Sequence, residues 1–251
     1  MARQDPSRPW QSSSVETVDW RHYGPLLLES LRLGSQHVAG MVPYWLKGDY
    51  RTAAAEPAMA LKDPPVSPWV AAAHKVVEDV RMSDPWRHHS ERTWHFAVAL
   101  AAVDGREQDE EELYVASLLH DTGFYDDTRQ RCFAATGAAR AFSTAADVGI
   151  EGKRVQAVAD AIFGHVSVKP PTELACYVRA GSLLDVAGTR VWDLDRAMVD
   201  QVCAKWPRDG FPRAARQFWA DECARFPFGR AAFARFPGGL VAASHASTLP
   251  E

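Results

Sequence analysis

Apolar positions recur at three- and four-residue spacing along most of this 251-residue chain, and no alternating strand run stands out between its turn signals. The pattern predicts an all-α bundle of about nine helices with a helical N-terminal extension. Residues 20–46 read as one or two helices interrupted by Gly and Pro, followed by a linker that closes on Pro64 and Pro65, which cannot continue a helix. Ser67 and Pro68 then supply an N-cap and a first-turn proline, and Val70, Ala73, Val76, Val77 and Val80 continue a packing helix. Its His74 has no partner in sequence and reads as a surface or hydrogen-bonded histidine. Further periodic runs cover residues 89–103, 113–123 and 151–165, and two amphipathic helices lie between residues 197 and 226. The expected organisation is a disordered tail over 1–15, an extension and linker over 16–65, the bundle over 66–236 and a mobile C-terminal tail over 237–251.

The stretch LYVASLLHDTG, residues 113–123, breaks the apolar pattern at one place, the adjacent pair His120-Asp121 at the end of a buried run. An unpaired carboxylate there would cost on the order of several kcal/mol, and a cation shared with the neighbouring imidazole would offset it. Taken alone, the pair also fits a polar C-cap ending at Gly123. His89 lies 31 positions upstream, near the start of another periodic run. That spacing suits two antiparallel helices of about four turns joined by the acidic stretch 104–112, which would bring His89 beside His120. Asp185 is a second carboxylate inside an apolar run, RAGSLLDVAG. His89, His120, Asp121 and Asp185 are thus the expected metal ligands, borderline-to-hard donors that suit zinc, iron or manganese.

Composition narrows the partners. At 47% hydrophobic and 24% charged the chain can bury one sizeable core. A net charge of −4 supplies no basic field for nucleic acid or an anionic membrane, so a small-molecule substrate is expected. The four cysteines, Cys132, Cys176, Cys203 and Cys223, form no C-x-x-C pair and read as reduced thiols. With no apolar leader and no run of about 18 apolar residues, a cytoplasmic protein is expected. Trp20, Tyr23, Tyr44 and Trp45 in the extension could be core, line a pocket or form a subunit contact, which leaves a homo-oligomer open.

Six blocks occur in order: HHSERTWHFAVALAA, EELYVASLLHDTG, RCFAATGAARAF, VADAIFGH, RAGSLLDVAG and KWPRDGF. Together they resemble the cyanamide hydratase-like branch of the HD-domain superfamily of metal-dependent hydrolases, over about residues 68–236. The resemblance implies an HD-type helical domain in which a divalent ion, zinc favoured with iron or manganese as alternatives, activates water. Its pattern aligns His89 with Ser90 and Arg92. Arg92 shares the face of His89, where it would either meet the substrate or pair with a ligand carboxylate. His95, six positions on, is a pocket-wall candidate at best.

His165 is the only histidine between Asp121 and Asp185. Superfamily members with two metals usually draw extra histidines from that interval, so the resemblance implies one metal, with His165 facing the substrate as proton shuttle. A plain helix terminus is the competing reading of His165. Ala134 stands where the branch often carries an acidic residue. The implied activity is hydration or hydrolysis of a small polar molecule at a cyanamide- or nitrile-like carbon–nitrogen centre. The alternative is a phosphomonoesterase with Arg92, Arg129 or Lys169 on the phosphate. A di-iron oxygenase and a non-catalytic binding protein follow behind.

Overall fold

The computed structural model describes residues 23–47, 61–126, 130–235 and 249, and among them every regular element is helical. The helices are α1 (Tyr23–Lys47), α2 (Pro68–Asp79), α3 (Asp84–Val103), α4 (Glu110–Leu119), α5 (Phe133–Asp147), α6 (Lys153–Gly164), α7 (Glu173–Ala187), α8 (Arg196–Lys205), α9 (Phe211–Arg225) and α10 (Arg230–Arg235), with 3-10 turns at Thr122–Tyr125 and Val191–Asp193. The described residues therefore form the all-α bundle that the periodicity predicts. No helix among the described residues is long and apolar enough to cross a membrane. The expected tail over residues 1–15, Trp20, Arg129 and most of the C-terminal segment lie outside the described residues, as do the side chains of Tyr23, Tyr44 and Trp45.

The helix ends follow local chemistry. Ser67 Oγ accepts from Val70 N at 3.1 Å and Pro68 occupies the first turn of α2. Asp109 caps α4 by accepting from Glu112 N at 2.9 Å, and Glu110, Glu111 and Glu112 fill its positive end. Arg154 reaches that acidic turn from α6, pairing with Glu111 at 2.6 Å and Glu112 at 2.9 Å. Thr172 Oγ1 caps α7 on Ala175 N at 3.1 Å.

Trp69, Trp86, Trp94, Phe96, Leu100, Tyr114 and Phe211 are fully buried and fill the centre. His74 accepts or donates at Tyr114 Oη, 3.1 Å away, the hydrogen-bonded role expected of it. The most extensive helix pair is α3 with α7. Gly181 makes it close: a Cβ there would stand 2.1 Å from Thr93 O and 2.9 Å from Ala97 N. His89 lies one turn before Thr93 and Asp185 one turn after Gly181, so this antiparallel contact sets the distance at which the two side chains meet.

Of the one or two helices expected in the extension, the structure forms one, residues 23–47, running through Pro43. The hydrogen bond that Pro43 cannot make would have gone to the carbonyl of Ala39, an exposed residue that water can serve. One expectation is corrected: in the C-terminal segment read as a mobile tail, Leu249 is buried in the main core, and its carbonyl accepts from Arg208 at 3.4 Å. Helix α1 meets the bundle near Trp192, whose ring centroid lies 5.5 Å from that of His37, while Leu28, Leu31, Val38 and Leu46 face outward.

Gly181→Ala should destabilise the protein by about 2–3 kcal/mol, since a backbone atom rather than a flexible side chain blocks the methyl group. Chemical denaturation checks it, and wild-type stability in the variant would mean that α3 and α7 are not held at this contact.

Candidate metal centre

Helix α4 delivers His120 at its last turn and then stops. Asp121 leaves helical geometry (φ −105°, ψ 1°), and the chain tightens into the 3-10 turn, where Thr122 Oγ1 donates to Leu119 O at 2.7 Å. Gly123 lets the start of α5 close over this turn, because a Cβ there would lie 1.9 Å from Phe133 O. The break folds the Asp121 carboxylate back beside its own neighbour: Oδ2 is 3.1 Å from His120 Nε2 and 3.4 Å from His89 Nε2. The two Nε2 atoms are themselves 3.3 Å apart. All three residues are buried, and their ligand atoms form a group that could hold a metal ion.

The opposite ring nitrogens decide what these atoms can accept. His120 Nδ1 faces Ser117 O at 2.7 Å, and a carbonyl can only accept, so Nδ1 carries the proton. His89 Nδ1 likewise faces Asp185 Oδ2 at 2.6 Å. Each neutral imidazole therefore presents an Nε2 lone pair to the other at contact distance, a repulsion that a cation between them would relieve. Burial disfavours charge on His89, but Asp121 and Asp185 outweigh it and raise its pKa. The Asp121 carboxyl is held far below the usual range despite burial, by His120 and His89. Two imidazole nitrogens and one ionised carboxylate, without a free proton donor, fit a divalent ion.

Asp185 occupies a different place from the one its sequence context predicts. It is not in the group that surrounds the ion position but one step out, on the far nitrogen of His89. Its two oxygens also accept from Arg92 Nε at 2.8 Å and Nη2 at 2.9 Å, and from Arg208 Nε at 3.1 Å. Burial alone would raise its pKa, but Arg92 and Arg208, with His89, hold it far below the usual carboxylate range. The two guanidinium groups are the physical reason for the placement, since they take the lone pairs a metal would need.

Arg92, expected next to the substrate, is fully buried and committed elsewhere: beyond Asp185, its Nη1 donates to Trp206 O and Pro207 O, both at 2.9 Å. It is a positioning residue. The alternative reading of its role, a salt bridge to the buried carboxylate, is the one the structure contains.

His165 closes the site from the end of α6. Its Nδ1–H donates to Ile162 O at 2.6 Å, leaving Nε2 to face Asp121 Oδ1 at 3.8 Å, and its ring stands edge-on to His120 with centroids 4.9 Å apart. Burial, and His120 beside it, keep the ring neutral. His95 packs between Trp94 and Trp206, and His88 pairs with Pro207 O on the surface.

Three neighbours were not singled out from sequence. Ser182 Oγ is 3.4 Å from His89 Nε2, Phe211 stacks on the His89 ring at 4.4 Å, and Arg208 donates to Asp185. Phe211 and Arg208 belong to the block KWPRDGF, but nothing within a turn of either residue hints at Asp185, 23 positions away from Arg208. No family model and no curated protein matches the chain.

His120→Ala should abolish metal retention while the protein stays helical. Asp185→Asn should weaken metal affinity by about 10- to 100-fold without abolishing it, and destabilise the fold by about 3–5 kcal/mol, because two buried guanidinium groups lose their counter-charge. Metal analysis and thermal denaturation of both variants separate the roles. Total loss of metal at unchanged stability in Asp185→Asn would make Asp185 a direct ligand.

Proposed function

We propose that this protein is a metal-dependent hydratase or hydrolase of the HD type. It acts on a small polar molecule, with a cyanamide- or nitrile-like carbon–nitrogen centre favoured. The observation that carries the reading is the convergence of two Nε2 lone pairs and one carboxylate oxygen of Asp121 on a single buried point, with His165 alongside. His89, His120 and Asp121 would hold the ion, zinc favoured by the ligand set with iron or manganese as alternatives. A divalent ion there supplies water activation at neutral pH and polarises the bond under attack.

The chain's own residues do the rest. Asp185 orients His89 and keeps its proton on Nδ1, and Ser117 O does the same for His120. Arg92 and Arg208 hold Asp185 ionised and out of reach of solvent. His165, neutral and with a free Nε2, takes up a proton at that atom and returns it to the leaving or developing nitrogen. Burial of the whole group excludes bulk water, which strengthens each electrostatic contact.

Phosphomonoester hydrolysis is the second reading, and charge balance supports it. Arg92 and Arg208 already offset Asp121 and Asp185, so a divalent ion would leave the centre net positive and receptive to an anion. Arg92 itself cannot hold the phosphate in that reading, because its donors are occupied.

Metal analysis of the purified protein should find about one divalent ion per chain. His165→Ala should retain it and lower kcat by about 10²- to 10⁴-fold on whichever of cyanamide, small nitriles, amides and nucleoside monophosphates is turned over. Unchanged turnover would remove His165 from the mechanism. Two irons per chain with substrate-dependent oxygen uptake would replace the reading by an oxygenase.

A further inference from the structure

Helix α1 leaves a continuous apolar stripe in water. Leu28, Leu31, Val38 and Leu46 are 70%, 61%, 58% and 80% exposed, and Val42 is 40% exposed. The stripe is ordered. From Leu28 the outward positions continue through Leu31, Ser35, Val38 and Val42 in alternating steps of three and four residues, which is the a and d pattern of a two-helix seam. The opposite face of α1 is already used: Met41 is buried in the main core, and a Cβ at Gly40 would stand 2.1 Å from the Trp192 ring. The seam therefore points away from the bundle.

Charge and area say what covers it. Among the 25 residues of α1 only Glu29, Arg32 and Lys47 are charged, and Glu29 pairs with Arg32 inside the helix at 2.5 Å. Two copies of this face can therefore meet without opposing like charges. Ser35 Oγ donates to Arg32 O at 2.8 Å, so its hydroxyl is satisfied within its own helix and can be covered at little cost. A membrane surface would call for a basic face beside the stripe, and α1 carries only Arg32, already paired, and Lys47. The stretches of chain outside the described residues offer no matching seam: residues 48–60 contain no Leu, Ile, Val or Phe, residues 1–22 contain Val15 and Val18, and residues 236–248 contain Phe236, Leu240 and Val241. The exposed side chains of the stripe present on the order of 400 Å² per chain. A two-fold pairing covers that twice, together with the flanking positions, and so reaches the roughly 1,000 Å² that a stable interface needs.

We propose that α1 is a dimerisation helix, and that two copies of this chain pair through the outward seams of antiparallel α1 helices about a two-fold axis. In an antiparallel seam each a position meets a d position of the other helix. Leu31 then faces Val42 of the partner subunit, Ser35 faces Val38 of the partner subunit, and the two-fold axis repeats both contacts. A parallel pair would set Ser35 against its own copy and leave a gap in the middle of the seam. The antiparallel pair fills that layer with Val38 and opposes the two helix dipoles. The inference is independent of the metal chemistry, since no residue of the seam belongs to the metal centre.

The test is analytical ultracentrifugation of the full-length protein at micromolar concentration, with circular dichroism to show that each variant is folded. Wild type should sediment at twice the 27.7 kDa of the chain. Leu31→Lys combined with Val42→Lys opposes like charges across the antiparallel seam and should give a monomer, while the fold survives because both side chains lie on the exposed side of α1. Leu31→Lys combined with Val42→Glu opposes unlike charges instead, and should bind its own copy at least about tenfold more tightly than the double lysine variant. In a parallel pair the second variant would set lysine against lysine and glutamate against glutamate, so equal dissociation of the two variants overturns the antiparallel pairing. A monomeric wild type, or a dimer that both variants leave intact, overturns the proposal. Monomeric wild type that sediments with vesicles of phosphatidylcholine and phosphatidylserine would assign the stripe to a membrane surface in its place.

Discussion

The arrangement depends on keeping one carboxylate, Asp185, ionised with no exposure to solvent. Taking a carboxylate and two guanidinium groups out of water costs several kcal/mol per ion, of order, and their attraction offsets this only when nearly every donor and acceptor is used. Here they are. Arg92 grips both oxygens of Asp185 and two backbone carbonyls after α8, Arg208 grips one oxygen and the Asp185 carbonyl, and His89 supplies the last donor. Helices α3 and α7 and the connection from α8 to α9 are joined at that point, next to the candidate metal centre.

The same cluster explains the chemistry of the imidazoles. Because Asp185 and Ser117 O fix the protons of His89 and His120 on Nδ1, both rings offer Nε2 to the interior, where Asp121 meets them. A positive charge between two lone pairs 3.3 Å apart would relieve their repulsion. A buried site so built could hold a cation.

Leu249 adds a link that local patterns could not announce. The segment around it is polar and rich in small residues, the composition of a loose tail, yet the leucine is buried and its carbonyl lies on Arg208. The C-terminus is thereby connected, through one guanidinium, to the carboxylate that orients His89.

Much of the architecture was legible along the chain: the caps at Ser67 and Pro68, the acidic start of α4, the run that ends on His120-Asp121, and the all-helical periodicity. These features are set by interactions within a turn or two, which neighbouring residues decide by themselves. The pairing of His89 with His120 was also legible, because two adjacent helices with a short connection have few ways to pack. What the chain could not declare was the partner of each buried charge. Asp185 looks like another ligand in sequence, yet it meets His89 across 96 positions through the wrong nitrogen for that role, since two arginines reach it first. Arg92 could have faced substrate or carboxylate, and only the packing of α3 on α7 at Gly181 chose the carboxylate. Sequence alone determined the helices and the types of donor they carry. Tertiary structure decided which donor faces which acceptor, because that choice depends on contacts between residues far apart in the chain and on the cost of leaving any buried charge unpaired.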